Sequence, residues 1–399
     1  QPPAEPNFVI DWPDVDAAYR LLDEGRNIGK VVVRVGKAHD DAASRPDAVP
    51  VARHAAVPNE PIAIVGFAGR FPGAASVEQF WDNVAAGVSS VREVPPERWD
   101  ADIFYDTDRA KLDRTDCRHG GFVDGIEDFD AAFFGIAPKE ARLSDPQQRL
   151  FLESCWEALE HAGHGADMKG SRCGVYVGAC GGDYTARLAA AGVPRAPQSF
   201  WGNDDAVLAA RIAYLLDLTG PAVAIDTACS SSLVAIHLAA AALRAGECDS
   251  ALAGGVFLRT TEGFHILCSN AGMLSPEGRC KAFGAGADGF VPGEGVGVLV
   301  LKRLEDALTD GDHVHALIEG AAINQDGRTN GITAPSARGQ ADVIRTALDR
   351  AGVPATAVSL IEAHGTGTRL GDPVEVRALS EVFSEAGAGL SSVALGSVK

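Results

Sequence analysis

The sequence predicts an α/β fold in which helices cover both faces of a sheet. Short apolar runs recur along the chain, stretches with helical periodicity separate them, and several runs end in glycine. Apolar runs without polar alternation are typical of strands that are buried on both faces. Hydrophobic residues make up 46% of the 399 residues, which is enough apolar material for a large core of this kind.

The chain begins with a short segment that differs from the rest. Val15 to Leu22 has helical spacing, and Lys30 to Val35 is predicted to form a strand. Lys37 to Pro58 has no periodicity and is rich in Ala, Asp, Arg and Pro, which is typical of a linker. From Glu60 the apolar runs begin abruptly. The predicted parts are therefore residues 1–36, a linker over 37–58 and a large domain over 59–399.

The large domain is predicted to contain interior strands that alternate with long helices. The strands are Pro61–Gly66, Gly174–Gly178, Ala222–Ile225, Ser250–Gly254, Gly295–Leu301 and Val358–Glu362. The helices are Pro146–His161, Ser230–Ala245 and Ala337–Ala351. Continuous apolar strands between helices imply helical layers on both sides of a sheet.

Charge and cysteine usage argue against several classes of protein. A net charge of −19 disfavours broad binding to nucleic acid or to an anionic membrane, although a basic patch could still bind an acidic partner. The eight cysteines form no C-x-x-C pair and no zinc-ligand spacing, so no metal site is predicted. Gln1–Asn7 lacks the cationic and apolar regions of a signal peptide, and no apolar stretch suits a membrane span. We therefore expect a cytoplasmic protein.

The strongest candidate for chemistry is Cys229. A tight turn at Asp226–Ala228 connects the strand Ala222–Ile225 to it, and a helix is predicted to begin immediately after it. Serines 230–232 can satisfy the free amides of a first helical turn, and the positive end of the helix dipole favours a thiolate. The alternative for any single cysteine is a buried structural role. The strand–turn–helix setting favours an exposed nucleophile.

A cysteine nucleophile needs a partner that handles protons, and His364 is the best placed of the ten histidines. It follows the strand Val358–Glu362, at the kind of strand end where α/β sheets hold catalytic groups. Glycines at 365 and 367 indicate that something approaches this backbone closely. The alternative for a loop histidine is a surface position without a role.

The other histidines do not predict a metal site. His161 and His164 lie three residues apart near a helix end, and His313 and His315 are predicted to alternate along a strand. Neither pair has a third ligand nearby in the sequence, so metal binding is not expected at either.

Five motifs, in order, resemble the β-ketoacyl synthase domains of modular polyketide synthases. They are EPIAIVG at Glu60–Gly66, DPQQRL at Asp145–Leu150, DTACSSS at Asp226–Ser232, NQDG at Asn324–Gly327 and EAHGTGT at Glu362–Thr368. The resemblance covers Glu60 to Lys399. It implies the thiolase-like fold, in which two halves related by pseudo-twofold symmetry form a five-layered sandwich that assembles as a homodimer.

The resemblance also implies a decarboxylative Claisen condensation on acyl carrier proteins. Cys229 would accept an acyl chain from the phosphopantetheine arm of one carrier, and His364 would help to decarboxylate a malonyl-type extender on another. The domain would bind no cofactor of its own. The other matching positions are Thr366 and Thr368, which contact the arm, Lys399, which organises the site, and Glu375, an acidic residue near that lysine.

Two expectations concern the ends of the chain. The family has a second catalytic histidine shortly beyond the position of Lys399, so we expect an excerpt of a longer polypeptide. The alternative function is a non-condensing ketosynthase that binds or transfers acyl chains without elongation. Asp14–Val33 is similar to the last helix and strand of medium-chain reductases, the group that includes enoyl reductase modules. A docking or linker helix is the alternative for this segment.

Overall fold

The computed structural model of the protein describes Phe8–Asp11, Val31–Arg34 and residues 60–387 and 393–399. Contacts divide the chain into two compact units, Gln1–Arg53 and His54–Lys399. In the first unit, β1 (Phe8–Asp11) and β2 (Val31–Arg34) pair in parallel, which confirms the strand that was predicted from Lys30. The predicted helix at 15–22 and the predicted linker at 37–58 lie outside the described residues.

The second unit contains the six interior strands and the three long helices that were predicted for it. Its strands are β3 (Ile62–Arg70), β4 (Val91–Glu93), β5 (His119–Gly121), β6 (Cys173–Ala179), β7 (Ala222–Ile225), β8 (Ser250–Phe257), β9 (Gly295–Arg303), β10 (Ala316–Ile318), β11 (Leu360–Glu362) and β12 (Ala394–Gly396). Its α-helices are α1 (Val77–Ala85), α2 (Ala101–Phe104), α3 (Pro138–Leu143), α4 (Pro146–His161), α5 (Tyr184–Ala190), α6 (Pro197–Trp201), α7 (Asp205–Leu215), α8 (Ser231–Arg244), α9 (Gly263–Asn270), α10 (Leu304–Asp310), α11 (Ala337–Ala351) and α12 (Gly371–Glu385). Across the described ranges, no helix combines the length and the apolarity that crossing a bilayer requires.

Six strands form a central mixed sheet in the order β10-β3-β9-β8-β6-β7. β6 pairs in parallel with β7 and β8, whereas β3 and β9 pair antiparallel with their neighbours. The prediction that every strand is interior is wrong for β11, which pairs only with β12 among the described strands and leaves Leu360 62% exposed. It is also wrong for β7, which forms an edge of the central sheet and leaves Val223 37% exposed. Its composition is as apolar as that of an interior strand, so the sequence pattern does not distinguish the two positions.

Helices cover both faces of this sheet, as predicted. Along β6, Val175 and Val177 belong to one buried cluster, which includes Phe151 of α4. Tyr176 lies between them in the strand and belongs to a second cluster, which includes Ala239 of α8. Successive side chains of a strand point to opposite faces, so α4 and α8 lie on opposite sides of the sheet.

A second, smaller sheet lies in the carboxyl-terminal region. β11 and β12 pair in parallel, with Glu362 opposite Gly396. Ala341 of α11 and Phe383 of α12 share a buried cluster beside them. Because the two strands run in the same direction, the segments that follow Glu362 and Gly396 leave the sheet at the same end. This arrangement brings the His364 loop next to Ser397–Lys399.

The two histidine pairs meet, but not as a metal site. The prediction that His313 and His315 lie in a strand is wrong, because β10 begins only at Ala316. The rings of His161 and His315 have centroids 4.9 Å apart and an interplanar angle of 23°. This stacking turns the ring faces, rather than the ring nitrogens, towards each other, which does not suit shared coordination of an ion.

Acid is expected to destabilise the fold through His265. This residue of α9 is 1% exposed, and its Nε2 lies 3.2 Å from the carbonyl oxygen of His119. Burial lowers the pKa of His265 from 6.5 to about 4. Its contribution to stability is therefore complete above pH 6.5 and is lost as the pH falls towards 4. The expected loss is about 3 kcal/mol of unfolding free energy.

Denaturant unfolding at several pH values measures this effect. The His265→Phe variant keeps an aromatic ring next to Trp99, whose ring centroid lies 5.1 Å from that of His265, but it cannot be protonated. We expect its unfolding free energy to depend less on pH than that of the wild type. Parallel pH curves for the two proteins would contradict the assignment.

Candidate active site

Cys229 lies at the end of the central sheet that is formed by the carboxyl ends of the parallel strands β6, β7 and β8. It is the middle residue of a 3-10 turn, Ala228–Ser230. Ala228 has a φ of 56°, a left-handed conformation that costs an L-residue about 1–2 kcal/mol. The carboxylate of Asp226 accepts a hydrogen bond from the Ala228 amide at 2.9 Å. The predicted tight turn is confirmed, and it leaves Cys229 exposed.

The serines after Cys229 close the turn instead of capping the helix. α8 begins at Ser231, one residue later than predicted, and no side chain caps it. The Ser231 hydroxyl accepts a hydrogen bond from the Thr227 amide at 2.9 Å and donates to the Ala228 carbonyl at 2.7 Å. The predicted capping role is therefore wrong, because the 3-10 turn between strand and helix presents its own polar groups to these hydroxyls.

The start of α8 lies directly on the sheet. A Cβ atom on Gly178 of β6 would be 2.4 Å from the carbonyl carbon of Ser231. A Cβ atom on Gly255 of β8 would be 2.8 Å from the Cβ of Ser232. Both distances are too short for non-bonded carbon atoms, so neither strand position can carry a side chain unless the helix moves. These two glycines fix the height of the Cys229 turn above the sheet.

Alkylation is expected to mark Cys229 first. All eight cysteines lie in the described part of the chain, and Cys229 is the exposed one. Burial raises the pKa of Cys117, Cys173 and Cys268 to about 11 and that of Cys248 to about 12. Thiolate is the form that reacts with iodoacetamide. At neutral pH we therefore expect Cys229 to be modified at least about tenfold faster than any of these four thiols. Peptide mass spectrometry measures the rates, and equal labelling of any of these four would contradict the prediction.

His364 and Lys399 meet because each follows one of the parallel strands β11 and β12. Nζ of Lys399 lies 3.3 Å from Nδ1 of His364. Glu375 of α12 accepts hydrogen bonds from the amides of His364 and Gly365 at 2.7 and 2.9 Å. Burial lowers the pKa of His364, and the Lys399 ammonium lowers it further, against opposing effects of Glu375 and Asp372. The imidazole is therefore mainly neutral at neutral pH.

Asp372 was not predicted to belong to this site. It is 4% exposed in the first turn of α12, and its carboxylate accepts a hydrogen bond from the Gly367 amide at 3.0 Å and another from the Phe283 amide at 2.6 Å. Phe283 has a φ of 59°. Asp372 therefore joins the His364 loop to the segment around Phe283. The signal that could have identified it is an acidic residue followed by proline, a pattern typical of a helix start.

The close approach that the glycines predicted is made by the chain itself. Gly365 has a φ of 48°, and a Cβ atom there would lie 2.6 Å from the Ser397 hydroxyl. The hydroxyl oxygens of Thr366 and Thr368 lie 3.0 Å apart, and that of Thr368 accepts a hydrogen bond from the Gly371 amide. The loop thus presents two paired hydroxyl groups.

The hydrogen bonds of the described site residues fall into two sets. Among them, no hydrogen bond joins Cys229 to His364 or to Lys399. The neighbour that the structure does give Cys229 is Cys268 of α9, whose pKa is raised by burial and, to a smaller degree, by the Cys229 thiol. The thiol turn lies at the end of the large sheet, and the His364 loop lies at the end of the small one.

Comparison with known proteins identifies the family of this chain. The Beta-ketoacyl synthase, N-terminal domain family matches residues 59–307, and the Beta-ketoacyl synthase, C-terminal domain family matches residues 315–399. The chain belongs to the β-ketoacyl synthase family. Its solved structural neighbours are ketosynthase domains, which confirms the predicted thiolase-like fold.

Curated relatives of the chain are polyketide synthases. Polyketide synthase PksL of Bacillus subtilis (strain 168) is 49% identical over 343 residues, which make up 86% of this chain and 8% of that protein. A phenolphthiocerol/phthiocerol polyketide synthase of Mycobacterium tuberculosis is 51% identical over 342 residues, or 85% of this chain and 22% of that protein. The chain therefore spans less than a quarter of the length of either relative.

Two solved structures resemble the chain along most of its length. The ketosynthase from module 6 of the bacillaene synthase of Bacillus subtilis 168 is 48% identical with a TM-score of 0.79, and the match covers 85% of this chain and 57% of that one. The oxazolomycin ketosynthase domain OzmH KS7 of Streptomyces albus JA3453 is 40% identical with a TM-score of 0.79, covering 85% and 59%.

Proposed function

We propose that this chain is the acyl-accepting part of a β-ketoacyl-[acyl carrier protein] synthase, which elongates polyketides by decarboxylative Claisen condensation. The observation that carries the proposal is the exposed Cys229 on a strained turn, in a chain of the β-ketoacyl synthase family. A turn of this kind presents a nucleophile to a large substrate, as the nucleophile elbows of other α/β enzymes do. A buried structural cysteine would not need the strain at Ala228.

The reaction has two steps. In the first, the Cys229 thiolate attacks the acyl thioester of a carrier arm, and the released arm thiolate takes up a proton. In the second, a malonyl-type extender on a carrier loses carbon dioxide, and the electron pair left behind forms a carbon–carbon bond with the acyl carbonyl. Cys229 leaves as a thiolate, and the product is a β-ketoacyl carrier. The Cys229 amide is our candidate for one donor of the oxyanion hole.

The proposed role of His364 follows from its contact with Lys399. A lysine ammonium can only donate, so Nδ1 of His364 accepts, and the neutral ring carries its proton on Nε2. This N–H can donate to the thioester oxygen of the extender and stabilise the enolate that forms when carbon dioxide leaves. Glu375 supports the role by holding the amides of His364 and Gly365.

The carrier arm is a substrate in this proposal and not a resident cofactor. Thr366 and Thr368 are half-buried, and each presents a hydroxyl group on the same loop as His364. Paired hydroxyls suit the amide groups of a phosphopantetheine arm, because each can donate and accept. The proposed partners are therefore acyl carrier domains, while the net charge of −19 continues to argue against nucleic acid and anionic membranes.

The wider organisation is also proposed. We infer a homodimer, supported by the position of β7 at the edge of the described sheet and by its exposed Val223, and sedimentation of the full-length protein measures it. Residues 1–36 remain a candidate reductase tail, joined by residues 37–58 to the ketosynthase at 59–399. The eight free thiols support a reducing compartment such as the cytoplasm.

A two-stage assay with the full-length protein tests the proposed function. An acyl carrier is added first, and the mass of the Cys229 peptide should increase by that of the acyl group. A malonyl-type carrier, isotopically labelled in its free carboxyl group, is added next and should release labelled carbon dioxide as β-ketoacyl carrier forms. Loading without either product would favour the non-condensing alternative, and absence of loading would contradict both functions.

A further inference from the structure

The segment around Cys280 lies against the His364 loop and is joined to it at several points. The Gly289 amide donates to the Gly367 carbonyl at 2.9 Å. Asp372 connects the amides of Gly367 and Phe283, as described above. A further connection is the half-buried thiol of Cys280, whose sulfur lies 3.3 Å from the carbonyl oxygen of Thr366 and 3.7 Å from that of Gly365.

The direction of the Cys280 contact follows from its chemistry. A carbonyl oxygen can only accept, so the thiol must donate its S–H to the loop. Burial raises the pKa of Cys280, against smaller lowering by a hydrogen bond with the Val291 backbone and by Lys399, so the thiol keeps its proton at neutral pH. A protonated, half-buried thiol is a poor nucleophile, which separates Cys280 from the acyl acceptor Cys229.

We propose that Cys280 is a positioning residue, whose S–H group holds the Gly365 and Thr366 carbonyls and thereby sets the position of the Thr366 hydroxyl for the carrier arm. The inference rests on the proposed function, because the arm is the ligand that this loop would receive. His364 is held separately by the bonds of Glu375 to its loop. Loss of the thiol should therefore weaken binding of the carrier-bound extender more than it slows the chemical step.

Three substitutions in the full-length protein separate a donor role from simple packing. Cys280→Ser keeps a hydrogen-bond donor, and Cys280→Val fills a similar volume without one. The matched control is Cys155→Ala, since Cys155 is fully buried in α4 and belongs to the buried cluster of the central sheet. We expect Cys280→Val to raise KM for the carrier-bound extender about fivefold, the factor for one weak hydrogen bond, with kcat changed less. Cys280→Ser should restore KM to within about twofold.

Two further measurements make the outcome independent of overall activity. Loading of Cys229 from an acyl thiophenol thioester, which has neither a carrier nor the amide groups of the arm, should be unchanged in Cys280→Val. Hydrogen–deuterium exchange of the 364–368 peptide should be faster in Cys280→Val than in the wild type, Cys280→Ser or Cys155→Ala. Equal KM and exchange in Cys280→Val and Cys155→Ala would overturn the proposal, as would equal impairment of the Ser and Val variants. If the wild type does not condense at all, the proposed function fails, and the exchange comparison still decides the role of Cys280.

Discussion

Replacing Cys229 with alanine is expected to abolish covalent acyl loading and to lower condensation at least about a thousandfold. The acyl group must be transferred to a thiolate at an exposed position, and Cys229 is the exposed cysteine of the chain. Intact-protein mass spectrometry measures loading, and the rate of β-ketoacyl carrier formation measures condensation. Both should fall together, because the second step consumes the product of the first.

Cys268→Ala is the matched control for this substitution. Cys268 is a thiol whose pKa the Cys229 thiol affects, but burial raises the pKa of Cys268 to about 11, so it carries little thiolate at neutral pH. We expect this variant to load acyl groups as the wild type does. Continued loading of Cys229→Ala, or loss of loading in Cys268→Ala alone, would remove Cys229 from the mechanism.

Replacing Asp372 with alanine is expected to lower the unfolding free energy by roughly 2–6 kcal/mol, because two amides lose their acceptor at about 1–3 kcal/mol each. One of these amides belongs to Phe283, which already has a left-handed backbone conformation. The same change should also reduce carbon dioxide release from the extender, because Gly367 in the His364 loop loses its bond to α12. Denaturant unfolding and the release assay measure the two effects.

Two controls separate the buried contacts of Asp372 from the loss of charge. Asp342→Ala in α11 removes a carboxylate that is 52% exposed and pairs with Arg345, so it should cost less than about 1 kcal/mol. Asp372→Asn keeps one acceptor oxygen and should cost less than Asp372→Ala. If Asp342→Ala and Asp372→Ala were equally destabilising, the two amide contacts would not be the cause.

Much of the fold could be predicted from local pattern. Helices α4 and α11 were placed at Pro146–His161 and Ala337–Ala351 with both ends correct, because their periodicity and flanking residues are clear. The position of β7 was also correct, but its place at the sheet edge was not predicted. Strand order depends on pairing between segments that are distant in the sequence. The residues Ala222–Ile225 alone therefore do not indicate that β7 has a neighbouring strand on one side only in the described sheet.

The site was only partly predictable, for a different reason. Cys229 and His364 have strong local signals, a strand that ends in a turn and a glycine-rich loop. Asp372 acts through two backbone amides, one of them about ninety residues away along the chain, and backbone contacts of this kind leave little trace in residue type. The serines after Cys229 were assigned the wrong partners, because the 3-10 turn shifted the helix start by one residue.

The contact of α8 with Gly178 and Gly255 has a consequence for mutational scanning. An added methyl group at either position would push the helix start away from the sheet and displace the Cys229 thiol without touching it. Alanine at these positions would therefore lower activity in the same way as loss of a catalytic group. A scan scored on product formation alone would place both glycines in the reaction centre, although each acts only by leaving space for the helix.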